Sequence, residues 1–375
     1  MNKYARYLMK TKENFFLVFR PENQKVSPRV SQVYLELSTH CNLSCRSCIR
    51  NTIVDFRKRH FTPALMKKVK LMLEALGPER IVLLGFGEAL CNPHIRDHLR
   101  SLREIETKIV LVSNASFLTG EMSSFLVELP LDEIYVSWDD DIFGSDAAIR
   151  RGASADLFRR NIETLAGKKA SAGRRLPTIG LQIVATRTNH GHMAKTIRYG
   201  HSIGIEQFIV SNLYPYDESM TGEILYDIRS GHEVDLRKLL RREIRKYTVR
   251  VAHQKGRRNR SCPFIEKGTI FITADGEIAP CPELAYTHPA YYSGLPRIHT
   301  RFILGSVSTG SLDDIWEGEA FTDLRNNFQY YDFPDCAYCY RPDMCYKRTV
   351  EGSDCYGNRT PCSECLWAKG IVICP

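Results

Sequence analysis

The sequence predicts an α/β protein whose main part is an incomplete barrel of β/α units, followed by a small cysteine-rich region. Between residues 32 and 211, apolar runs of strand length alternate with amphipathic windows of helix length. Six strand-like runs occur, fewer than the eight strands of a closed β/α barrel. From about residue 247 the composition changes, and nine of the thirteen cysteines follow that point.

Each predicted element has its own local signal. The strands are expected near 32–38, 80–86, 108–113, 132–138, 177–186 and 206–211. The helices are expected near 62–76, 94–105, 119–128, 154–168 and 190–203. Thr62-Pro63, Asn92-Pro93 and Thr119 are typical helix-start signals. Because the carboxyl ends of the strands in a β/α barrel meet at one mouth, polar motifs that follow the strands should gather there.

The first such motif is a loop of three cysteines after the first strand. Three residues separate Cys41 from Cys45, and two separate Cys45 from Cys48. Four thiolates normally hold a 4Fe-4S cluster, so a three-cysteine loop leaves one iron free to bind a small molecule. A structural zinc site is the alternative, but zinc knuckles pair C-x2-C with a second pair. We therefore expect a cluster with one open iron.

Cysteine content and the N-terminal sequence bear on the compartment. No signal-peptide apolar core occurs between Met1 and Arg20, and no apolar stretch approaches the length of a membrane span. Thirteen cysteines without a secretion signal indicate metal ligation in a reducing compartment rather than disulfides. We expect a cytoplasmic enzyme without membrane contact.

The formal net charge of +9 is a weak signal for nucleic acid. Each bound 4Fe-4S centre would bring its own negative charge, about −2 with four thiolates and about −1 with three. Leu236, Leu240 and Ile244 form an apolar stripe, so a helix near 233–247 should expose its basic residues to solvent. An acidic protein partner is the second interpretation, and nucleic acid is disfavoured because no nucleic-acid motif accompanies the charge. The basic residues are Arg237, Lys238, Arg241, Arg242, Arg245, Lys246, Arg250, Lys255, Arg257, Arg258 and Arg260.

The cysteine loop and the segments after the next strands resemble radical S-adenosylmethionine (SAM) enzymes. Gly85-Phe86-Gly87-Glu88 is similar to the family's Gly-Gly-Glu-Pro segment, with Ala89 in place of the proline. The resemblance implies a partial (β/α)6 barrel and a cluster on Cys41, Cys45 and Cys48 whose unique iron is chelated by SAM. Reductive cleavage of SAM would then give a 5'-deoxyadenosyl radical. The implied SAM-binding residues are Gly85, Gly87, Glu88, Ser113, Asn114, Ser137 and Arg150.

Other interpretations of these strand ends remain open. Ordinary turn and helix-cap chemistry is the alternative for each single polar residue. The run Asp139–Asp141 could instead bind a metal-containing substrate. Gln182 and Asn189 are possible cofactor contacts or simply core and cap residues, and Cys91 is left out of the ligands as a small buried hydrophobe.

The cysteine-rich region resembles the SPASM extension of radical SAM maturases. Its order is Cys262, a hairpin-like pair of strands around Asp275-Gly276, Ser311–Trp316, and a helix through Leu324. The resemblance implies one or two auxiliary 4Fe-4S clusters. It assigns Cys336, Cys339 and Cys345 to one cluster with a late cysteine, assigns Cys262, Cys281 and Cys355 to the other, and leaves Cys362, Cys365 or Cys374 to complete a centre.

Zinc is a stronger alternative here than at the first loop. Cys336 and Cys339, like Cys362 and Cys365, are separated by two residues, which is a zinc-knuckle spacing. Nine residues separate Cys345 from Cys355, whereas relatives usually have three at the matching place, so an incomplete or absent centre is a further alternative.

The cysteine-bearing tail, the run Cys48–Asn51 and the Gly-Phe-Gly-Glu turn resemble maturases associated with tungsten-dependent aldehyde oxidoreductases. This resemblance implies a maturase that modifies a partner protein or metal cofactor, with a ferredoxin- or flavodoxin-type electron donor. A peptide-modifying enzyme that crosslinks or oxidises a precursor is the alternative, and a non-catalytic electron carrier is the second. The expected domains are an N-terminal extension over 1–30, the barrel over 31–246 and the SPASM region over 247–375.

Overall fold

The computed structural model describes residues 4–10, 15–21, 26–129, 131–144, 149–228, 234–256, 261–341, 344–347 and 352–375. Its strands, numbered in chain order, are β1 (Tyr4–Lys10), β2 (Phe15–Pro21), β3 (Gln32–Leu35), β4 (Arg80–Leu83), β5 (Lys108–Ser113), β6 (Glu133–Ser137), β7 (Thr178–Ala185), β8 (Gln207–Asn212), β9 (Thr248–Val251), β10 (Thr269–Ile272), β11 (Glu277–Ala279), β12 (His288–Tyr292), β13 (Leu295–His299) and β14 (Gly305–Ser306).

The α-helices follow the same numbering. They are α1 (Pro63–Leu76), α2 (Ile95–Arg103), α3 (Gly120–Glu128), α4 (Ala155–Ser171), α5 (Met193–Ser202), α6 (Glu218–Thr221), α7 (Leu236–Leu239), α8 (Arg241–Lys246), α9 (Pro263–Glu266), α10 (Leu312–Glu317) and α11 (Glu319–Gln329).

One sheet of ten strands forms the centre, in the order β14-β11-β10-β3-β4-β5-β6-β7-β8-β9. Strands β3 to β9 run parallel in sequence order, and β10 pairs parallel with β3 on its other side. The sheet ends at β14 and β9, which do not pair, so the barrel is open. The predicted α/β class with a partial barrel and a C-terminal extension is confirmed. The boundary at residue 246 stays a prediction, and the sheet itself continues across it.

The barrel elements form where the sequence predicts them. Ile81, Val82 and Leu83 of β4 have no solvent exposure, as expected for parallel strands covered on both faces. Thr62 caps α1 by accepting the backbone N–H of Leu65. The predicted helix start at Asn92-Pro93 comes too early in the sequence, because α2 begins at Ile95. The side-chain amide of Asn92 instead donates to the backbone carbonyls of Leu37 and Phe61.

Three strand arrangements were not predicted. The pair β1 and β2 forms a separate antiparallel hairpin. Strand β9 adds a seventh parallel strand, but it is short and mostly exposed, so its apolar signal is weak. Strands β12 and β13 form another hairpin, and Pro289 and Pro296 within them lower the strand signal.

The basic segment forms two short helices rather than one. Leu236 and Leu240 are fully buried, which confirms the predicted apolar stripe along α7 and α8. Arg257, Arg258 and Arg260 lie outside the described residues. In the described part of the chain, no helix combines the length and the apolar character that crossing a bilayer requires.

The C-terminal segment 366–375 packs along β8 and the residues after β9. Asn212 Nδ2 donates to the carbonyl of Ile371 at 2.8 Å, and the Ile373 N–H donates to Ser211 Oγ at 3.1 Å. The His253 N–H donates to the carbonyl of Gly370 at 2.9 Å. These bonds hold the cysteine-bearing tail beside the open side of the barrel.

Candidate active site

The carboxyl ends of five successive strands, β3 to β7, surround a cavity of about 270 Å³. All ten residues predicted for the first cluster and for SAM line it, and Asp139 and Gln182 line it as well. The predicted residues are Cys41, Cys45, Cys48, Gly85, Gly87, Glu88, Ser113, Asn114, Ser137 and Arg150. The structure therefore gathers into one place residues that the sequence spreads over about a hundred positions.

Backbone hydrogen bonds hold the cysteine loop against the segment that follows β6. The N–H groups of Ser44 and Arg46 donate to the carbonyls of Arg151 and Ile149, at 3.0 and 2.8 Å. Arg150 lies between these two carbonyls, so the same bonds place its side chain at the cavity. The loop and the arginine are thus positioned together.

Arg50 was not predicted as a site residue. Its Nη2 donates to the carbonyl of Leu43 at 2.7 Å, which closes the cysteine loop on itself. Within that loop, the Leu43 N–H and Asn114 Nδ2 lie 3.4 and 3.6 Å from Cys41 Sγ. Hydrogen bonds to a ligand sulfur tune the reduction potential of a cluster. In the sequence, Arg50 was noted only as part of the run Cys48–Asn51, which resembles the maturases, and no role was predicted for it.

The two glycines of the turn after β4 let its backbone approach closely to the segment that follows β3. A Cβ at Gly87 would lie 2.2 Å from the carbonyl oxygen of Ser38 and 2.6 Å from that of His40. A Cβ at Gly85 would lie 2.3 Å from Glu36 Cγ. The Glu88 N–H donates to the His40 carbonyl at 2.7 Å across this contact. Glycine is therefore required here by packing of the turn against the cysteine loop.

Glu36 is a second residue that the sequence did not single out. Its fully buried carboxylate accepts the N–H of Phe86 at 2.8 Å and the N–H of Ala274 at 3.2 Å, and it also accepts the Tyr286 hydroxyl. It thus joins the barrel, the glycine turn and the C-terminal region. Burial raises the pKa of Glu36 to about 7, although these hydrogen bonds oppose the rise.

The Glu88 carboxylate is engaged with its own chain. Oε1 accepts Ser113 Oγ at 2.9 Å and the Leu90 N–H at 3.2 Å, and Oε2 accepts the Asn114 N–H at 2.7 Å. Burial raises the pKa of Glu88, and these donors partly offset the effect. Glu88 therefore fixes the end of β5 relative to the glycine turn.

The three consecutive aspartates point to different partners. Asp139 forms a buried ion pair with Arg150, with Nε 2.8 Å from Oδ2. Asp140 accepts the backbone N–H groups of Ile149 and Arg150, whereas Asp141 lies near Lys195 and His192. Because the carboxylates do not converge, the structure disfavours the run as a single metal-binding site.

Of the other residues considered near the site, only some line the cavity. Gln182 lines the cavity. Asn189 is buried and donates to the carbonyls of Asp139 and Val184, which is the cap and core role given as its alternative. Cys91 does not line the cavity.

In the described residues, the thiols are not gathered as tightly as a tetrahedral zinc site requires. Tetrahedral zinc with Zn–S bonds of about 2.3 Å brings its ligand sulfurs to about 3.8 Å from one another. In the described part of the chain, the groups of three possible ligand atoms within 4.8 Å include no cysteine. Burial raises the pKa of Cys45 to about 11 and raises that of Cys41 as well, so these thiols need a cation to ionise.

The C-terminal thiols fall into two neighbourhoods. Burial, together with the nearby thiols of Cys262, Cys362 and Cys365, raises the pKa of Cys281 well above its ordinary value. Burial also raises the pKa of Cys355, with smaller contributions from Asp354 and from the thiols of Cys345 and Cys339. These shifts favour a place for Cys355 with Cys339 and Cys345, whereas the resemblance implies Cys262 and Cys281 as its partners, so the ligand grouping stays a prediction.

Two buried ion pairs tie the cysteine-bearing segments together. Arg297 Nε lies 2.8 Å from Oε1 of Glu364, and Glu364 lies between Cys362 and Cys365 in the sequence. Lys369 Nζ lies 2.9 Å from Asp335 Oδ1, next to Cys336. Arg297, Glu364 and Lys369 are almost fully buried and Asp335 is 28% exposed, so the two pairs help to fix how these segments pack.

A larger cavity of about 480 Å³ lies beside the start of β3 and the C-terminal tail. Its one lining thiol belongs to Cys374, whose Sγ accepts the Trp367 Nε1–H at 3.2 Å. The smaller cavity is the candidate active site because it holds the three-cysteine loop and the converging polar groups.

Comparisons with known proteins agree with the two regions. The radical SAM superfamily matches residues 35–172, and SPASM, an iron–sulfur cluster-binding domain, matches residues 262–340. The predicted resemblances to radical SAM enzymes and to SPASM are confirmed, while the domain bounds stay predictions. With them, a 4Fe-4S cluster, SAM and auxiliary iron–sulfur clusters are established as the cofactor classes of the chain.

A curated relative matches nearly the whole chain. The chain is 27% identical over 344 residues to the tungsten-containing aldehyde ferredoxin oxidoreductase cofactor-modifying protein of Pyrococcus furiosus, covering 92% of this chain and 96% of that one.

Solved structures share the fold at low identity. SuiB of Streptococcus suis bound to S-adenosylmethionine has a TM-score of 0.60 at 15% identity, over 90% of this chain and 78% of that one. Native anSMEcpe with bound AdoMet has a TM-score of 0.57 at 12% identity, over 86% and 90%.

We predict that Gly87→Ala disrupts the site, because its methyl group would overlap two backbone carbonyls that cannot move aside. We expect a loss of about 1–3 kcal/mol in unfolding free energy and of about four iron atoms per chain after anaerobic reconstitution. Gly167→Ala is the control, because nothing lies within 4 Å of that helical position. It should stabilise the chain by about 0.5–1 kcal/mol. Equal iron and stability in the two variants would contradict the packing argument.

We predict a pH-dependent effect of Glu36→Gln on stability. Because the pKa of Glu36 is raised from 4.5 to about 7, wild-type stability should fall relative to the variant as pH rises between these values. The change should total about 3 kcal/mol and level off above pH 7. Thermal unfolding from pH 5 to 8 measures it, with Glu106→Gln at an exposed position as the control. A difference between variant and wild type that does not change with pH would refute the assigned shift.

Proposed function

We propose that this chain, a radical SAM enzyme with a C-terminal SPASM domain, is a maturase that modifies a tungsten-dependent aldehyde oxidoreductase or its metal cofactor. The observation that carries this proposal is the alignment to the Pyrococcus furiosus cofactor-modifying protein along almost the full length of both chains. An alignment that spans both domains supports a shared overall task better than a match to the barrel alone.

We assign the first cluster to Cys41, Cys45 and Cys48, which line the cavity with no fourth cysteine among its described lining residues. Three thiolates leave one iron for SAM. When bound and reduced, this cluster would supply the electron that cleaves SAM into methionine and a 5'-deoxyadenosyl radical, which would abstract a hydrogen atom from the substrate.

The chain's own residues bind and orient SAM in this proposal. Arg150, largely buried and paired with Asp139, offers a positive charge for the SAM carboxylate. Gly85 and Gly87 bring the turn backbone to the cavity, where its carbonyls can meet the SAM ammonium. Glu88 acts as a positioning residue, since its carboxylate already accepts three hydrogen bonds from the chain.

We assign the auxiliary ligands from the two neighbourhoods of thiols. Cys262, Cys281, Cys362 and Cys365 would hold one cluster, and Cys336, Cys339, Cys345 and Cys355 would hold the other. Cys374 is left out of both sets, because it lines the separate cavity of about 480 Å³.

The basic face of α7 and α8 supports an acidic electron donor of the ferredoxin or flavodoxin type. Arg241, Arg242, Arg245 and Lys246 are exposed there, above the buried Leu240. Complementary charge would steer an acidic donor to this face and would make its reduction rate fall with salt.

A peptide-modifying activity is the second candidate. The chain shares its fold with SuiB, which has also been solved bound to its precursor peptide SuiA, at a TM-score of 0.60 and 15% identity. That likeness concerns the fold, so the substrate must come from experiment.

We expect the reconstituted enzyme, given dithionite and SAM, to form 5'-deoxyadenosine, and Cys45→Ala to form none above background. Cys91→Ser, outside the cavity lining, should retain the activity. Addition of the tungsten oxidoreductase partner should increase turnover and change the mass of that protein or its cofactor. Turnover on a precursor peptide alone would favour the second candidate, and a Cys45→Ala yield equal to wild type would reject radical chemistry.

We predict that Cys362→Ser lowers the iron content by about four atoms per chain, because it opens one auxiliary cluster. Cys374→Ser should keep the wild-type iron content. Iron analysis with electron paramagnetic resonance checks both variants. Iron loss in Cys374→Ser, with none in Cys362→Ser, would reverse the assignment.

A further inference from the structure

The β12–β13 hairpin brings two buried imidazoles together beside a buried carboxylate. His288 and His299 are direct partners at the end of the hairpin away from its turn. Glu283 lies in the short helical turn Pro282–Leu284 just before it. The side chains are 5% exposed for Glu283 and 1% for each histidine. One potential ligand atom from each residue lies within 4.8 Å of the other two.

We propose that Glu283, His288 and His299 form a binding site for a divalent transition-metal ion such as Zn²⁺. Two imidazole nitrogens and one carboxylate are a donor set that zinc accepts, and it contains no sulfur. The cluster ligands assigned above are all thiols, so this site is chemically distinct from them. The proposal does not depend on the proposed function, because it concerns metal binding rather than catalysis.

The hydrogen bonds of His288 orient the ring for a metal. Its Nδ1 lies 2.9 Å from the carbonyl of Pro289, so Nδ1 carries the proton that donates there. In the neutral ring, Nε2 then presents its lone pair toward Glu283, 3.5 Å from Oε1 and 3.3 Å from the backbone carbonyl. These acceptor atoms repel one another unless a proton or a metal ion lies between them. Metal-bound histidines commonly use their other ring nitrogen as a donor in this way.

His299 completes the set from the partner strand. Its Nδ1 lies 2.8 Å from Glu283 Oε1, which is an ordinary hydrogen-bond distance, so one proton lies between the two atoms. Metal binding would release that proton and leave both atoms as ligands, so one Zn²⁺ enters as one proton leaves.

The site adjoins residues that follow β8. The Tyr216 hydroxyl lies 3.5 Å from Glu283 Oε2, and its ring packs against His288 with centroids 5.3 Å apart. Tyr216 in turn stacks on Tyr214 at 4.8 Å. A bound ion would thus brace the hairpin against the barrel.

The test counts zinc in the holoenzyme. Because the ligands are buried, zinc is supplied in the growth medium so that it is present while the chain folds. The clusters are then reconstituted anaerobically and loose metal is removed by gel filtration. We expect one zinc per chain by mass spectrometry, with X-ray absorption showing nitrogen and oxygen at about 2.0–2.1 Å and no sulfur at about 2.3 Å.

His288→Gln and His299→Gln should each lower zinc affinity at least about 100-fold, since losing even an outer-shell partner costs 10–100-fold. Their iron content should stay at the wild-type level. His60→Gln is the matched control, because it removes one ring of a different imidazole pair, in which His40 and His60 stack at 4.2 Å. It should keep the zinc.

Anomalous diffraction at the zinc edge from wild-type crystals decides the matter if the variants fail to fold. A peak between Glu283, His288 and His299 supports the site. Wild-type protein without zinc, zinc bound through sulfur, a peak elsewhere, or full zinc retention in His299→Gln would overturn it, and the three side chains would then be a buried proton-sharing cluster.

Discussion

The candidate site depends on one close approach, between the turn after β4 and the loop after β3. Two glycines remove the side-chain atoms that would otherwise hold these backbones apart, and the Glu88 N–H reaches the His40 carbonyl at 2.7 Å. From there the Glu88 carboxylate extends the contact to Ser113 and Asn114 at the end of β5. Three strand ends are thus locked together by buried polar contacts. These contacts fix the position of the cysteine loop.

The parts of the site that could be predicted from sequence are those with local signals. Apolar runs located β3 to β8, and cysteine spacing located the loop, because both depend on neighbours in the chain. The parallel topology then explains why the predicted residues share one cavity. Glu36 and Arg50 escaped prediction because their roles come from partners that only the fold supplies. For Glu36, one of these is the Ala274 N–H, far along the sequence.

The grouping of the C-terminal cysteines could not be read from spacing, since many pairings fit the same sequence. It depends on buried contacts between distant segments. The ion pair of Arg297 with Glu364 places the Cys362–Cys365 segment against β13, beside His299. A pair buried this deeply is costly to break, because either charge would be left without its partner. The same packing brings Glu283, His288 and His299 together, and no short sequence motif predicts that cluster.

The pairing of β10 with β3 has a consequence for the order of folding. The first barrel strand gains its outer neighbour only from Thr269–Ile272, which is synthesised after all the other parallel strands, β4 to β9. Until then, β3 presents an unpaired edge of a strand that is fully buried in the finished fold, the kind of surface that recruits other chains. A nascent or proteolytically shortened chain would therefore be prone to aggregate, and chaperone protection would matter most while the ribosome translates the second half.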